Sequence, residues 1–167
     1  MKAPVRIAEA ELLHLAAMGE RSAQARLASA CIARQFVGVT PFEAMVMAEG
    51  FARLAACHGH IEDTLTLAGV LRVRAHHVAE LGDMDRALAL LGQSEALCDD
   101  LTGVPLCEGT EFLSGVLTAE ADAGDELAAI RLGKLWAAMS VGDADNLRSS
   151  VNDACRERDK AEALAND

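Results

Sequence analysis

Two short stretches hold most of the side chains that could do chemistry. Cys57-His58-Gly59-His60 gathers three metal-type ligands in four residues, and His76-His77 supplies two more. Zinc needs four such ligands in a tetrahedron, or three with a water. If His60 and His76 share one helix, their separation of sixteen residues puts them about 24 Å apart, too far for one ion. The plainer reading of His58, His60, His76 and His77 is a helix junction with exposed histidines, since histidine near a helix C-terminus suits the dipole. No metal and no other cofactor is expected. Arg72, Arg74, His76 and His77 also form a basic cluster. On a helix, Arg72 and His76 share a face at i,i+4, while Arg74 and His77 lie near another. Such a cluster suits an acidic ligand or a peptide carboxylate; its bland alternative is pairing with the chain's own acidic surface. Catalytic arrangements are thin. There is no GxSxG elbow, Walker loop, GxGxxG or HExxH. Carboxylates abound, but sequence alone places no two of them around one bond. No enzyme activity is expected.

Charge narrows the partners. The 167 residues carry a formal net charge of −11, and a phosphate-tracking protein needs a basic stripe, so nucleic acid is disfavoured. From Asp99 through Ile130 there are eight acidic residues and no Lys, Arg or His. They include Glu108 and Glu111. This run could steer a basic partner, or meet the 72–77 cluster of a second copy. Its plain alternative is a solvated face plus favourable charges at helix starts. No apolar run reaches the roughly 18–20 residues of a membrane span, so no membrane partner is expected. Met1 to Glu11 holds no apolar core of a secretory signal. Five cysteines with no CxxC then read as reduced thiols in a cytoplasmic protein. Cys31 and Cys57 fit positions inside apolar helices.

The elements that must position these groups are helices. Alanine (33 residues) and leucine (22) make a third of the chain, tyrosine is absent and aromatics total 3%, which favours close-packed helices over strands. Gly19, Gly38, Gly59, Gly82, Gly103, Gly124 and Gly142 punctuate the apolar segments at roughly one helix plus a turn. Gly-Asp recurs at 82–83, 124–125 and 142–143, with the aspartate near the next helix's positive end. Thr40-Pro41 reads as an N-cap followed by a first-turn proline, and Pro4 and Pro105 also sit where helices could begin. The pattern predicts eight helices, near 5–18, 20–36, 41–57, 60–81, 83–101, 106–123, 125–141 and 143–163. In the fourth, Ile61, Leu65, Ala68, Leu71, Ala75 and Val78 recur at helical spacing; in the fifth, Ala87, Leu88, Leu91 and Leu97 do. The third is apolar over most of its girth, leaving a narrow strip with Glu49 and Arg53, and so is expected to be buried on most sides. Trp136, with Leu132, Leu135 and Met139 nearby in spacing, reads as core before interface anchor.

The chain also repeats. Shifted by 40 residues, Gly19 falls on Gly59 and Leu27-Ala28 on Leu67-Ala68; shifted by 42, Gly82-Asp83 with Ala87 falls on Gly124-Asp125 with Ala129. A period near 40 with two helices per unit is the signature of an α-solenoid. Here the residues resemble a family. Ala48-x-x-Phe51-x-x-x-Ala55-Ala56-x-x-Gly59 resembles the second helix of a Sel1-like repeat, a relative of the tetratricopeptide repeat. Gly38-Val39 resembles that family's loop, and Leu15-Ala16-x-x-Gly19-x-x-x-Ala23-Gln24-x-x-Leu27-Ala28 its junction into the next first helix. Ile32 departs from the family's common tyrosine, and Arg72 occupies the matching place one unit on. Residues 1–70 resemble Sel1-like repeats, 71–141 the looser tetratricopeptide pattern, and 142–167 a capping helix. The expected fold is therefore all-α, one repeat domain over 1–167 forming a solenoid of about three helix-turn-helix units plus the cap.

The resemblance implies a non-enzymatic adaptor or scaffold that binds a protein or peptide. The asparagines and lysines of the tetratricopeptide carboxylate clamp are not reproduced. Some secreted, cysteine-rich Sel1-like proteins are linked to β-lactam binding or hydrolysis, but the cysteines here do not follow their paired spacing. The groove would be lined by the first helices of each pair, near 20–36, 60–81 and 106–123. Arg34, Arg72, Arg74, His76, His77, Glu108 and Glu111 are the candidate partner-binding residues. The alternatives are a self-assembling module whose opposite charges give a salt-sensitive homodimer, and, behind it, a metal- or small-ligand-binding protein or enzyme using the His58, His60, His76 and His77 region.

Overall fold

The structure, a computed structural model, describes residues 3–165, with side chains described for 10–154, 156, 157 and 160. The described residues form eight α-helices and no strand. They are α1 (Ala3–Ala17), α2 (Arg21–Ile32), α3 (Pro41–Ala56), α4 (Ile61–Glu80), α5 (Met84–Cys98), α6 (Glu108–Asp122), α7 (Glu126–Ala137) and α8 (Val141–Ala165). No described helix is long and apolar enough to cross a membrane. By internal contacts the chain divides into two compact units, Met1–Asp99 and Asp100–Asp167.

Local chemistry sets the helix ends. After α1, α4 and α6, a left-handed glycine (Gly19, Gly82, Gly124) stops the helix. Its N–H donates three residues back, to Ala16, Ala79 and Ala121, and the next N–H reaches five back, to Leu15, Val78 and Glu120. This Schellman pairing satisfies carbonyls that would otherwise be orphaned. Gly142 behaves differently. It lies inside the first turn of α8 without a positive φ, and the cap is Ser140, whose hydroxyl accepts from the N–H of Asp143 at 3.2 Å. The predicted caps hold elsewhere. Thr40 and Glu43 form a reciprocal capping box ahead of Pro41. Asp83 accepts from the Arg86 N–H, and Asp125 from those of Leu127 and Ala128. Pro105 does not open a helix: α6 starts at Glu108, and the Pro105 carbonyl instead accepts the Thr110 hydroxyl at 2.6 Å. Helix α7 ends at Ala137, short of the predicted 141, because Met139 pairs with Val104 in an isolated bridge.

In the first unit, α1 to α5 pack each on the next in chain order. The core is built from small residues. Ala28, Ala52, Ala75 and Ala87 lie with Leu67, Leu71, Val78 and Leu90 in one cluster, and Ala16, Ala23 and Leu27 form another with Phe51 against it. Alanines on facing helices allow close approach, so the larger side chains of some helices are turned outward. That reverses two expectations. The buried face of α3 is Ala44, Met45, Ala48, Ala52 and Ala55, while Phe42, Val46 and Leu54 are exposed, so α3 is not enclosed on most sides. The buried face of α5 is Ala87, Leu90, Ser94 and Cys98, and Leu88 points to solvent. Cys57 caps α3 and is exposed rather than sitting inside a helix. In the second unit α6 packs on α7, and α8 lies against both. The only buried α8 side chains among those described are Ala144 and Leu147.

Candidate functional site

The basic cluster lies on α4, whose mid-section is buried from Leu67 to Arg72. Arg72 and Arg74 are two residues apart, about 200° around the helix, and so reach opposite neighbours. Arg72 donates to Glu95 of α5. Arg74 donates from Nε to Glu49 of α3 at 3.2 Å, and its guanidinium lies 4.8 Å from the centroid of the Phe42 ring. Both arginines are only 3% exposed. Arg74 Nη1 is buried with no acceptor, and the aromatic face beside the guanidinium is its compensation. Glu49 also accepts from Arg53 Nε at 3.0 Å, and Arg53 Nη2 donates to Gln93 at 2.7 Å. A charged row thus runs from α4 through α3 to α5. The half-buried His77 ring is 6.1 Å from that of Phe42, and its Nδ1 is buried without a partner. His76 alone of the four is exposed.

The other predicted residues lie elsewhere. Arg34 is exposed just beyond α2, with a left-handed backbone, φ 54°. Glu108 and Glu111 are exposed in the first turn of α6, in the second compact unit, whereas the arginines and histidines belong to the first. Glu126 starts α7 and Asp125 caps it, so half of the 99–130 acidic run occupies helix starts, where negative charge is favourable. Glu120 is buried and is not free.

The Cys-His stretch serves as a helix connection. His58 Nε2 is 3.2 Å from Oε1 of the buried Gln24, whose Nε2 donates to the Ala16 carbonyl at 3.1 Å. That ties the α3–α4 turn to the α1–α2 turn. His60 is the N-cap residue of α4 and His76 lies near its far end. Among the described residues no three His, Cys, Asp or Glu side chains converge as a metal set. Burial pushes the Cys31 thiol up to about 11, which leaves it unreactive near neutral pH.

Sequence reasoning missed the carboxylates that hold the basic cluster. The Glu49–Arg53 pair is visible as an i,i+4 spacing on one helix, but nothing in the sequence links Glu49 to Arg74 or Glu95 to Arg72. It also missed Arg21. That side chain donates to Asp63 and Glu62, both at 2.6 Å, and joins the first turns of α2 and α4. The two carboxylates raise the Arg21 pKa above its ordinary value, chiefly through these hydrogen bonds.

Two surfaces stand apart from these internal pairings. One is the outer stripe of α3, Phe42, Val46, Gly50, Leu54 and Cys57, flanked by Arg53. The Arg53–Gln93 bond joins it to α5, whose outer side carries Leu88, Ala89, Gly92 and Ala96. The other is a cleft of about 150 Å³ in the second unit, lined by Thr118, Trp136, Arg148, Val151 and Asn152. Trp136 is half-buried rather than core, and the Arg148 guanidinium lies 4.6 Å from its ring centroid. The indole Nε1 is buried with no acceptor, and leaving such a donor unmatched costs about 1–3 kcal/mol. In comparisons with protein-family models, with curated proteins and with solved structures, the chain matches none.

Proposed function

We propose that this chain is a non-enzymatic interaction module of helical repeats, similar to Sel1-like and tetratricopeptide-repeat proteins, that binds a protein or peptide. The observation that carries this reading is the outward display of large apolar side chains on α3 and α5. Phe42, Val46, Leu54 and Leu88 are all at least 40% exposed, while alanines fill the core beneath them. Contiguous apolar surface with a polar row at its edge is what partner binding uses. The repeat reading is supported by two cross-links at nearly one spacing. Arg21 meets Asp63 across 42 residues, and Arg53 meets Gln93 across 40. Each joins a helix to the next-but-one, the relation that neighbouring two-helix repeats require. Arg72 and Arg74 then act as internal struts, and of the candidate basic side chains Arg34 and His76 are exposed.

The test is affinity capture of one stoichiometric partner with the wild-type chain, then binding of that purified partner to two variants. Val46→Asp with Leu54→Asp is expected to lose binding by at least about tenfold, the scale of removing one or two anchors. His76→Glu, a surface change, tests the basic contribution. Arg72→Glu cannot, because it would bury a second carboxylate against Glu95. Partner binding unaffected by the α3 variant would overturn the reading. The homodimer alternative is favoured by the same apolar stripe rather than by charge, since Arg72 and Arg74 are spent internally. It expects a dimer by light scattering that persists at high salt and is lost in the same double variant.

A further inference from the structure

The cleft beside Trp136 lies outside the face formed by α3 and α5, and what it could hold is independent of the reading above. Its lining has one formal charge, the Arg148 cation, and no acid. Arg148 lies over the indole, an arrangement that leaves the N–H edge of a guanidinium free to meet a planar acceptor. Arg148 pairs with Asp145 at 3.7 Å, on the same helix and two-thirds exposed, a pair that a better acceptor can replace. The buried Trp136 N–H has no acceptor. Asn152 adds an amide, and Val151 an apolar wall. The Thr118 hydroxyl gives its proton to the Ser114 carbonyl at 2.8 Å. The Arg148 guanidinium and the Asn152 amide are therefore the donors on the lining, and they suit a ligand that accepts.

We propose that this cleft binds a small organic monocarboxylate, with the carboxylate on Arg148 and a compact apolar body against Val151. A carboxylate accepts hydrogen bonds and donates none, which suits an arginine fork. The cleft's 150 Å³ matches a body about the size of a benzene ring. An organic cation is disfavoured, because the indole face it would stack on is already covered by Arg148. A multiply charged anion has no second cation among the lining residues and meets a chain of net charge −11.

The full chain has one tryptophan, so its single indole N–H resonance reports on this cleft directly. Titration with benzoate at constant ionic strength is expected to move that resonance along a saturating curve, with Kd on the order of 1 mM. Benzamide, the neutral counterpart, is expected to bind at least about tenfold more weakly. Arg148→Gln, a change at an exposed position, should weaken benzoate by a similar factor. Val151→Phe should fill the cleft and block benzoate while leaving Arg148 in place. Circular dichroism checks that both variants retain their helices. The proposal is overturned by a shift that never saturates, by benzamide matching benzoate, or by an Arg148→Gln protein that binds benzoate as well as the wild type.

Discussion

Arg34 adopts a left-handed backbone at a place where three other helix ends of this chain use glycine. Its N–H reaches back to Cys31 and that of Gln35 to Ala30, the same pairing seen at Gly19, Gly82 and Gly124. A left-handed conformation costs a side-chain-bearing residue roughly 1–2 kcal/mol, and glycine's greater freedom in the unfolded chain returns part of any gain. Arg34→Gly is therefore expected to stabilise the fold by about 0.5–1 kcal/mol, read from urea unfolding. A loss of stability would mean that the arginine side chain makes contacts that outweigh its backbone. Glu43 gives a pH-dependent counterpart. The Thr40 N–H and hydroxyl hold its carboxyl below the ordinary 4.5. A depressed folded value means stabilisation that is fully present above 4.5 and lost as pH falls through the lower folded value. Glu43→Gln should lower the urea midpoint at neutral pH, and its curve should converge with the wild type under acid. Parallel curves would remove the carboxylate from the cap's contribution.

At the scale of elements, the contact of α4 with α5 turns on a small residue. Ser94 is fully buried, and its hydroxyl donates to the Ala68 carbonyl at 2.9 Å. Ser94→Ala removes one hydrogen bond and should cost about 1 kcal/mol. Ser94→Leu must also push the two helices apart, which typically costs about 1–3 kcal/mol. Its denaturation midpoint should therefore fall below that of Ser94→Ala; a leucine variant as stable as the wild type would show that the helices do not approach closely there. The same small-residue packing explains why helical periodicity predicted helix positions better than helix faces. In α5 the buried set Ala87, Leu90, Ser94 and Cys98 includes a serine and a cysteine, while Leu88 is left outside. Hydropathy ranks Leu88 above Ser94, but only a small side chain fits where two backbones come close.

For the whole molecule, the division at Asp99 makes a direct prediction. The unit Met1–Asp99 carries both alanine-rich clusters and the α1–α5 packing within itself. A fragment ending at Asp99 should be helical by circular dichroism and unfold cooperatively in urea. A fragment without a cooperative transition would mean that the first unit depends on the remaining 68 residues. Charge belongs to this scale too. Most of the net −11 falls in the second unit, and much of the basic charge of the 72–77 cluster is held inside the first by Glu49 and Glu95.

The helical class, the number of helices and most of their ends are legible from the residues alone. Those depend on interactions within a few residues: a left-handed glycine, a capping Thr40, Asp83 or Asp125, and alanine and leucine in between. Legibility is weaker where a local signal is present but unused, as at Gly142 and Pro105. Which faces are buried and which charges are paired depends on how the helices pack. Arg72 and Arg74 look alike in the sequence and are neighbours on one helix, yet they meet carboxylates 23 and 25 residues away on different helices. Nothing near them in the chain specifies those partners. The same holds for Trp136, whose position at a cleft rather than in a core follows from Arg148 of another helix lying on its ring. Local rules place helices; which side chains meet is decided by how closely alanine-lined surfaces pack.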